Sequence, residues 1–441
     1  MKNNRILLAA LLAGTMLFSC QYQDDNTKSQ EVSALLNLAK DTTATTEEAI
    51  PRFSSAARGM PLPQQKKKWT VLVYMDGDNN LSRYSSKDIR EMMGAGSGDA
   101  MNIVVLWDND PDQDVQGAAN RHGYYYVERD GVTLMKDTGE VNMGSPKTAK
   151  DFIAYAVKNF PADRYLWIWW NHGGAVDRAF SMKGVCWDDT NSGDHLSETE
   201  QKEVMTYFKE QAGKKIDIVG FDACLMATAE IAYQYRDVAS YLVASEQSEP
   251  GDGWDYSFLS KISSTPAVTA QTLAKHIATC YKKYYQKVEE EDVTISVLNL
   301  AKAAAFARSL DDFAASAMAG GASGAAYRTL SKGLPMFGFY SDGERNCYFT
   351  KDLYGYLRAV RGSSKVPAAV RTKAEASMKL LTDKKLIVSE WHGSAWEDGA
   401  FGLAVTLKFA TAAYRKLDLC ADTRWDEFLN WAKFADNDYA Y

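Results

Sequence analysis

Tyr165-Leu166-Trp167-Ile168-Trp169-Trp170-Asn171-His172-Gly173-Gly174 and Ile216-Asp217-Ile218-Val219-Gly220-Phe221-Asp222-Ala223-Cys224-Leu225 share one pattern, a short apolar run that stops abruptly in polar and small residues. A run of this length reads as a strand buried on both faces, as parallel sheets require. Working outward, further strands are expected at Trp69 to Met75, Asn102 to Trp107, Tyr124 to Arg129 and Tyr241 to Ala244. Helical spacing of apolar residues falls between them, at Ser86 to Met93, Ala149 to Asn159 and Glu198 to Glu210. Strands alternating with helices predict an α/β fold with a mainly parallel sheet.

Beyond about residue 260 the pattern turns more helical, with Ala270 to Val288, Ala301 to Met318 and Trp425 to Phe434, interrupted by strands at Thr294 to Leu298 and Ala400 to Phe409. The Ala/Gly-rich stretch Ala314 to Ala326 reads as a helix end and loop, because no phosphate-loop lysine and threonine follow it. The expected organisation is an α/β core over 69–260 and a C-terminal part, 261–441, that completes the same fold. At 441 residues the chain has room for one large core or two domains. Its 46% hydrophobic and 24% charged residues, with 11 Trp and 24 Tyr, describe an aromatic-rich globular protein. A net charge of −7 without a long basic stripe argues against nucleic acid as a partner.

The N-terminus reads as an address. Lys2 and Arg5 precede an apolar run from Ile6 to Phe18, which is too short to span a bilayer comfortably. Leu17-Phe18-Ser19-Cys20 resembles a bacterial lipoprotein signal over 1–20, in which Cys20 is lipidated and anchors the mature chain to a membrane. Phe18 departs from the small residue usual there, which leaves cleavage by the ordinary secretory peptidase open. Gln21 to Asp25 resembles the acidic export tags of surface lipoproteins in the Bacteroides group. Residues 21–68, rich in Thr, Ser, Gln, Glu and Ala and ending in Lys66-Lys67-Lys68, read as a flexible tether or pro-segment. The expected location is extracytoplasmic, as an outer-membrane lipoprotein at the cell surface or in the periplasm.

In open parallel sheets, ligand sites form at the carboxyl ends of neighbouring strands, which is where His172 and Cys224 would meet. A cysteine at a strand-to-helix junction, with a helix expected through Tyr235, gains from the partial positive charge of the helix N-terminus, which favours thiolate. The histidine can then act as base and as proton donor. The glycines after His172 let a carbonyl approach the backbone, with Gly173 and Cys224 N–H as candidates for an oxyanion hole. Cysteines 186, 280, 347 and 420 complete an odd post-signal count of five with no CxxC pair or zinc spacing, so a free thiol is expected. Most free cysteines act as small hydrophobes. Cys280 fits that description, on one helical face with Leu273, Ile277 and Tyr284; Cys347 and Cys420 sit in aromatic or apolar surroundings, and Cys186 in a loop. Two further His-Gly pairs, His122-Gly123 and His392-Gly393, do not follow a long apolar strand; His122 begins a Tyr-rich hairpin-like segment and His392 lies among tryptophans.

The blocks Trp69 to Leu81, Trp169-Trp170-Asn171-His172-Gly173-Gly174, Gly220 to Met226, and Ser245-Glu246-Gln247 with Gly251-Asp252-Gly253-Trp254 resemble the clostripain-like cysteine peptidases, relatives of caspases, legumains and gingipains. Weaker echoes occur at Asp352-Leu353-Tyr354 and Gly402 to Val405, so the resemblance runs from about residue 69 to the C-terminus. It implies a caspase-hemoglobinase-like fold, a His172 and Cys224 dyad, and cleavage of protein or peptide substrates after Arg or Lys through an acidic pocket. Asp222 and Asp252 are the carboxylates placed to recognise such a cation. The resemblance also implies self-processing between the histidine and the cysteine, where Arg178 and Lys183 are candidates; Lys66 to Lys68 is a further candidate for N-terminal removal. The sequence itself requires no cofactor. Calcium is implied by resemblance alone, and Asp108, Asp110, Asp112 and Asp114 read as a solvated acidic turn lacking the glycine and glutamate of an EF-hand. An alternative is a catalytically silent surface lipoprotein that binds proteins or peptides on the same fold; an asparaginyl or caspase-like specificity is a third, disfavoured for acidic substrates by Asp222 and Asp252.

Overall fold

The computed structural model describes residues 65–110, 121–174, 184–338, 350–383 and 385–434, together with the backbone of 52–55. Strands β1 (Arg52–Ser55), β2 (Lys67–Gly77), β3 (Met101–Asn109), β4 (His122–Val127), β5 (Gly131–Asp137) and β6 (Ala162–Trp170) build one half of the main sheet. A small antiparallel sheet follows, of β7 (Gly173–Gly174), β8 (Gly184–Asp188) and β9 (Asp194–Leu196). The main sheet resumes with β10 (Ile216–Asp222), β11 (Ala239–Ala244) and β12 (Thr294–Asn299) and, after the short β13 (Thr350–Asp352), ends with β14 (Ile387–His392). Strand β13 pairs with β15 (Ala404–Thr406) instead. The ten-stranded order is β1-β5-β4-β3-β2-β6-β10-β11-β12-β14, parallel from β3 through β11 and antiparallel at β3–β4 and from β11 to β14. This is the mixed α/β architecture with a mainly parallel centre that the alternating pattern predicts.

Central strands are apolar on both faces because helices cover both. Successive side chains point to opposite sides of a strand. On β2, Leu72 and Tyr74 enter one core while Val71, Val73 and Met75 enter the other; on β6, Trp167 and Trp169 oppose Leu166, Ile168 and Trp170. The helices Pro146–Asn159, Glu198–Ala212 and Ala303–Ala319 close the first core, and Ser82–Ala95 with Ala270–Lys287 the second. Among the described residues, no helix is long and apolar enough to cross a membrane.

Three segments depart from expectation. Within the stretch expected as a tether, Arg52–Ser55 pairs in parallel with β5 from Gly131 to Leu134. Edge strands offer unpaired N–H and C=O groups to any extended backbone, so this pairing needs no hydrophobic pattern to announce it. Lys67 and Lys68 already belong to β2, and Lys66 and Lys68 both bind Asp163 at 2.9 Å, which ties this candidate processing site into the fold. Of the strand expected from Ala400 to Phe409, only Ala404–Thr406 is paired. Gly402 has φ of 101°, and the N–H groups of Phe401 and Gly402 donate to the Asp352 and Glu246 carboxylates at 2.8 Å, so side chains replace the ladder.

Gly220 marks where the sheet and the site meet. A Cβ there would lie 2.6 Å from the Trp254 ring, which packs over β10. Gly220→Ala should cost about 1–3 kcal/mol through overpacking, read as a lower denaturant midpoint at unchanged m-value.

Candidate active site

Strand β6 lies in parallel between β2 and β10, and the register places Met75, Trp170 and Asp222 in one row across the sheet. The chain leaving each strand therefore emerges beside the other two. Asn171 clasps them: its Nδ2 donates to Asp76 O at 2.6 Å, its N–H to Asp222 O at 3.3 Å, and its Oδ1 accepts from Trp187 N at 2.9 Å.

His172 follows and is buried. Its Nε2 lies 2.6 Å from Asn80 Oδ1, on the turn after β2, while its buried Nδ1 has no hydrogen-bond partner among the described residues. An amide oxygen only accepts, so this contact fixes the proton on Nε2 and leaves a lone pair on Nδ1. Burial lowers the imidazole pKa to about 4, so the ring is a neutral base at physiological pH.

Cys224 is also buried, and its Sγ accepts the Glu249 N–H at 3.2 Å. Its surroundings correct the expected helix junction. The helix begins only at Ala229, capped by Thr228, whose side chain accepts from Ile231 N. Residues after Cys224 run instead beside the segment leaving β11, with Leu225 N to Gln247 O at 3.2 Å and Ala227 N to Ser245 O at 2.8 Å. Leu225 is held at φ 66°, a left-handed conformation that costs a non-glycine residue of order 1 kcal/mol or more. The Glu249 N–H, not a helix terminus, thus faces the sulfur.

His172 and Cys224 line one cleft with Trp170, Asp222, Glu249 and Gly251. Gly173 packs so closely that a Cβ would fall 2.1 Å from Cys224 O, which requires glycine and sets the two backbones side by side. Asp222 receives Trp254 N at 3.1 Å and the Tyr256 hydroxyl at 2.9 Å. Burial raises its pKa to about 7, offset in part by the hydrogen bonds from Tyr256, Trp254 and Glu249. Glu249 is pushed well up by burial and by the Asp222 charge, so the two carboxyls share a proton. Behind them Asp88, raised by burial, accepts Trp170 Nε1 at 2.6 Å. Asp252 is not among the lining residues; Lys87 Nζ binds its Oδ1 at 3.0 Å and the Tyr284 hydroxyl its Oδ2 at 2.5 Å.

Arg178 and Lys183 lie outside the described residues, as do Cys20, Cys347, Asp112 and Asp114. The ends of the 175–183 segment are cross-strand partners, Gly174 with Gly184. Cys186, expected in a loop, is buried in β8; Cys280 and Cys420 are buried in the core clusters. His392 pairs with Glu390 at 3.0 Å. Asp108, expected in a solvated turn, is wholly buried at the end of β3, where it meets Asp78, Glu140 and Asp188 and holds His122. The sequence reading assigned no role to Asn80, Glu249 or Asp88. Asn80 and Glu249 follow β2 and β11, so the strand-end rule that found His172 also points to them.

A sequence model of the clostripain family matches residues 73–436. Clostripain of Hathewaya histolytica is 33% identical over an alignment of 220 residues that covers 44% of this chain and 41% of that protein. The chain thus matches about two fifths of that relative's length. Two solved structures share the fold: an inactive zymogen C11 protease from Parabacteroides distasonis and a secreted C11 cysteine protease from Bacteroides thetaiotaomicron in complex with an irreversible peptide inhibitor. Each has a TM-score of 0.58 and covers 83% of this chain and 99% of its own, at 19% and 20% identity respectively.

The geometry at His172 can be read by nitrogen NMR of the imidazole. The ring should remain neutral with Nε2 protonated from pH 8 down to about 5, because its pKa lies at about 4. Asn80→Ala should mix the two tautomers without moving the resonances of His392.

Proposed function

The chain belongs to the clostripain family, and from that membership we propose that it is a cysteine endopeptidase cleaving after Arg or Lys, with Cys224 as nucleophile and His172 as acid/base partner. The observation that carries this reading is the shared cleft, in which a neutral histidine, its Nδ1 without a partner among the described residues, and a buried thiol stand at neighbouring strand ends. Cys224 Sγ attacks the scissile carbonyl carbon as its proton moves to His172 Nδ1, and the carbonyl π electrons move onto oxygen. The backbone at Gly173 and Cys224 is the candidate donor to that oxyanion. As the carbonyl re-forms, the C–N bond breaks and His172 gives its proton to the leaving amine, leaving a thioester. Water, deprotonated by His172, then attacks the thioester, releasing the acid and restoring the thiol. Asn80 acts through His172 as a positioning residue, holding the tautomer that both proton transfers need.

Arg or Lys specificity is supported by Asp222 and Glu249 in the cleft wall, where a buried carboxylate binds a desolvated cation strongly. Asp252, already paired with Lys87, contributes only if substrate displaces that lysine. Self-processing within 175–183, at Arg178 or Lys183, follows from the same specificity. We place the protein outside the cytoplasm, anchored by a lipid on Cys20; Cys20→Ser should move it from the membrane to the soluble fraction.

Fluorogenic peptides ending in Arg, Lys, Asn or Asp test the reaction. Wild type should turn over the Arg or Lys peptides, Cys224→Ala none, and band splitting on a denaturing gel should vanish in that variant. Turnover of no peptide by the wild type would sink the peptidase reading. Asn80→Ala should lower kcat about 10–100-fold at little change in KM. Asp222→Asn should raise KM for basic peptides about 100-fold, the 2–5 kcal/mol scale of a broken buried charge pair. Because the Asp222 pKa is raised to about 7, its charge is present above that pH and lost below it. KM should therefore climb as pH falls from 8 to 6, while kcat holds until His172 protonates near 4.

A further inference from the structure

A second cluster of acids lies at the ends of the strands, apart from the cleft. One carboxylate oxygen each from Asp78, Asp108, Glu140 and Asp188 lies within 4.8 Å of the others. Asp78, Asp108 and Asp188 have no solvent-exposed surface. The Asp78 carboxylate faces this group, yet among the described residues its fully buried Oδ1 has no hydrogen-bond donor. On the same turn Asp76, equally buried, has an Oδ2 without a partner among the described residues. An unpaired buried carboxylate oxygen costs several kcal/mol unless a cation answers it. The Thr190 hydroxyl, with a single proton, faces Asp78 Oδ2, Glu140 Oε1 at 3.2 Å and Asp188 Oδ1 at 3.4 Å; Asn191 donates to Glu140 and Asp188, Met143 N to Asp188 and Val141 N to Asp108, which leaves Asp78 Oδ1 as the oxygen of this group without a donor among the described residues. His122, bonded to Asp108, offsets one of these charges.

We propose that Asp78, Asp108, Glu140 and Asp188 form a structural site for a hard divalent cation of calcium's size, which braces the turn carrying Asn80. Oxygens that share one calcium at about 2.3–2.6 Å stand at most about 5 Å apart, which matches the spread of this set. The donors are all oxygens, and Thr190 Oγ1 adds a neutral one. Backbone tethers join the site to the turn after β2: Asp189 N donates to Asp78 O at 2.9 Å, Asn79 Nδ2 to Trp187 O at 2.7 Å, and Leu81 N to Asn79 Oδ1 at 2.9 Å. Asn80 lies between Asn79 and Leu81 and holds His172. A cation on Asp78 would thus fix the position of the imidazole without touching substrate. Calcium is an expectation of the family resemblance; the residues that would hold it are read from this chain's own geometry.

The test is binding, measured on the full chain after chelation and exchange into metal-free buffer. Calcium titrated by calorimetry should bind at one site per chain and raise Tm, and terbium in its place should luminesce through the neighbouring Trp187 or Trp107. Asp78→Asn, which keeps shape and an acceptor for Thr190, should weaken calcium at least tenfold while Tm without metal rises or stays level. Glu140→Gln, on the exposed rim, should weaken binding in the same direction and guards against a folding defect in the first variant. No saturable binding by wild type at millimolar calcium, or unchanged affinity in both variants, would overturn the proposal. So would a preference for zinc, which would assign the site to Asp108, His122 and Glu140. Because the readout is binding rather than turnover, failure here leaves the peptidase proposal untouched.

Discussion

The parallel registration of β2, β6 and β10 is the constraint on which the rest depends. Backbone hydrogen bonds hold Met75, Trp170 and Asp222 in one row, so residues 78–81, 171–174 and 223–225 must leave the sheet at the same edge. A one-residue slip would turn every apolar side chain of a strand to the wrong core, and both cores are sealed. The register is therefore held by burial, and the meeting of His172, Asn80 and Cys224 follows from it.

Polar groups at that edge are desolvated, which gives them their chemistry and makes them costly. His172 loses its proton readily because a charged ring would be stranded from water. Asp222 and Glu249 keep a shared proton because two adjacent buried anions repel. Leu225 stores backbone strain beside the thiol. Each destabilises the fold locally, and the large aromatic cores around Trp167, Trp169, Trp107 and Trp254 offset that cost. Pre-formed order of this kind at the edge is what the proposed reaction would require. The second acid group, around Asp78 and Asp108, extends the same pattern one turn further out.

Much of the fold was legible because buried strands advertise themselves: the expected strands at 69–75, 102–107, 165–170 and 216–221 all lie within observed strands. Elements that owe their existence to a neighbour were less so. Strand β1 is paired by an exposed edge, β15 is cut short because carboxylates take the N–H groups of Phe401 and Gly402 before it, and the segment after Cys224 is drawn beside residues 245–247 instead of coiling at once. In each, a long-range hydrogen bond outweighs local propensity, and local pattern carries no trace of it.

The sequence by itself determined the sheet class and, through the polar residues ending two apolar runs, singled out His172, Cys224 and Asp222 as neighbours. Strand ends are marked by a change from apolar to polar, and parallel sheets gather those ends. Only the tertiary structure decided that Asn80 sets the imidazole tautomer, that the Glu249 N–H and not a helix dipole meets the thiol, and that Asp252 pairs with Lys87 away from the cleft. These depend on which side chains face each other across strands far apart in the chain, and facing is set by register and burial rather than by spacing in sequence.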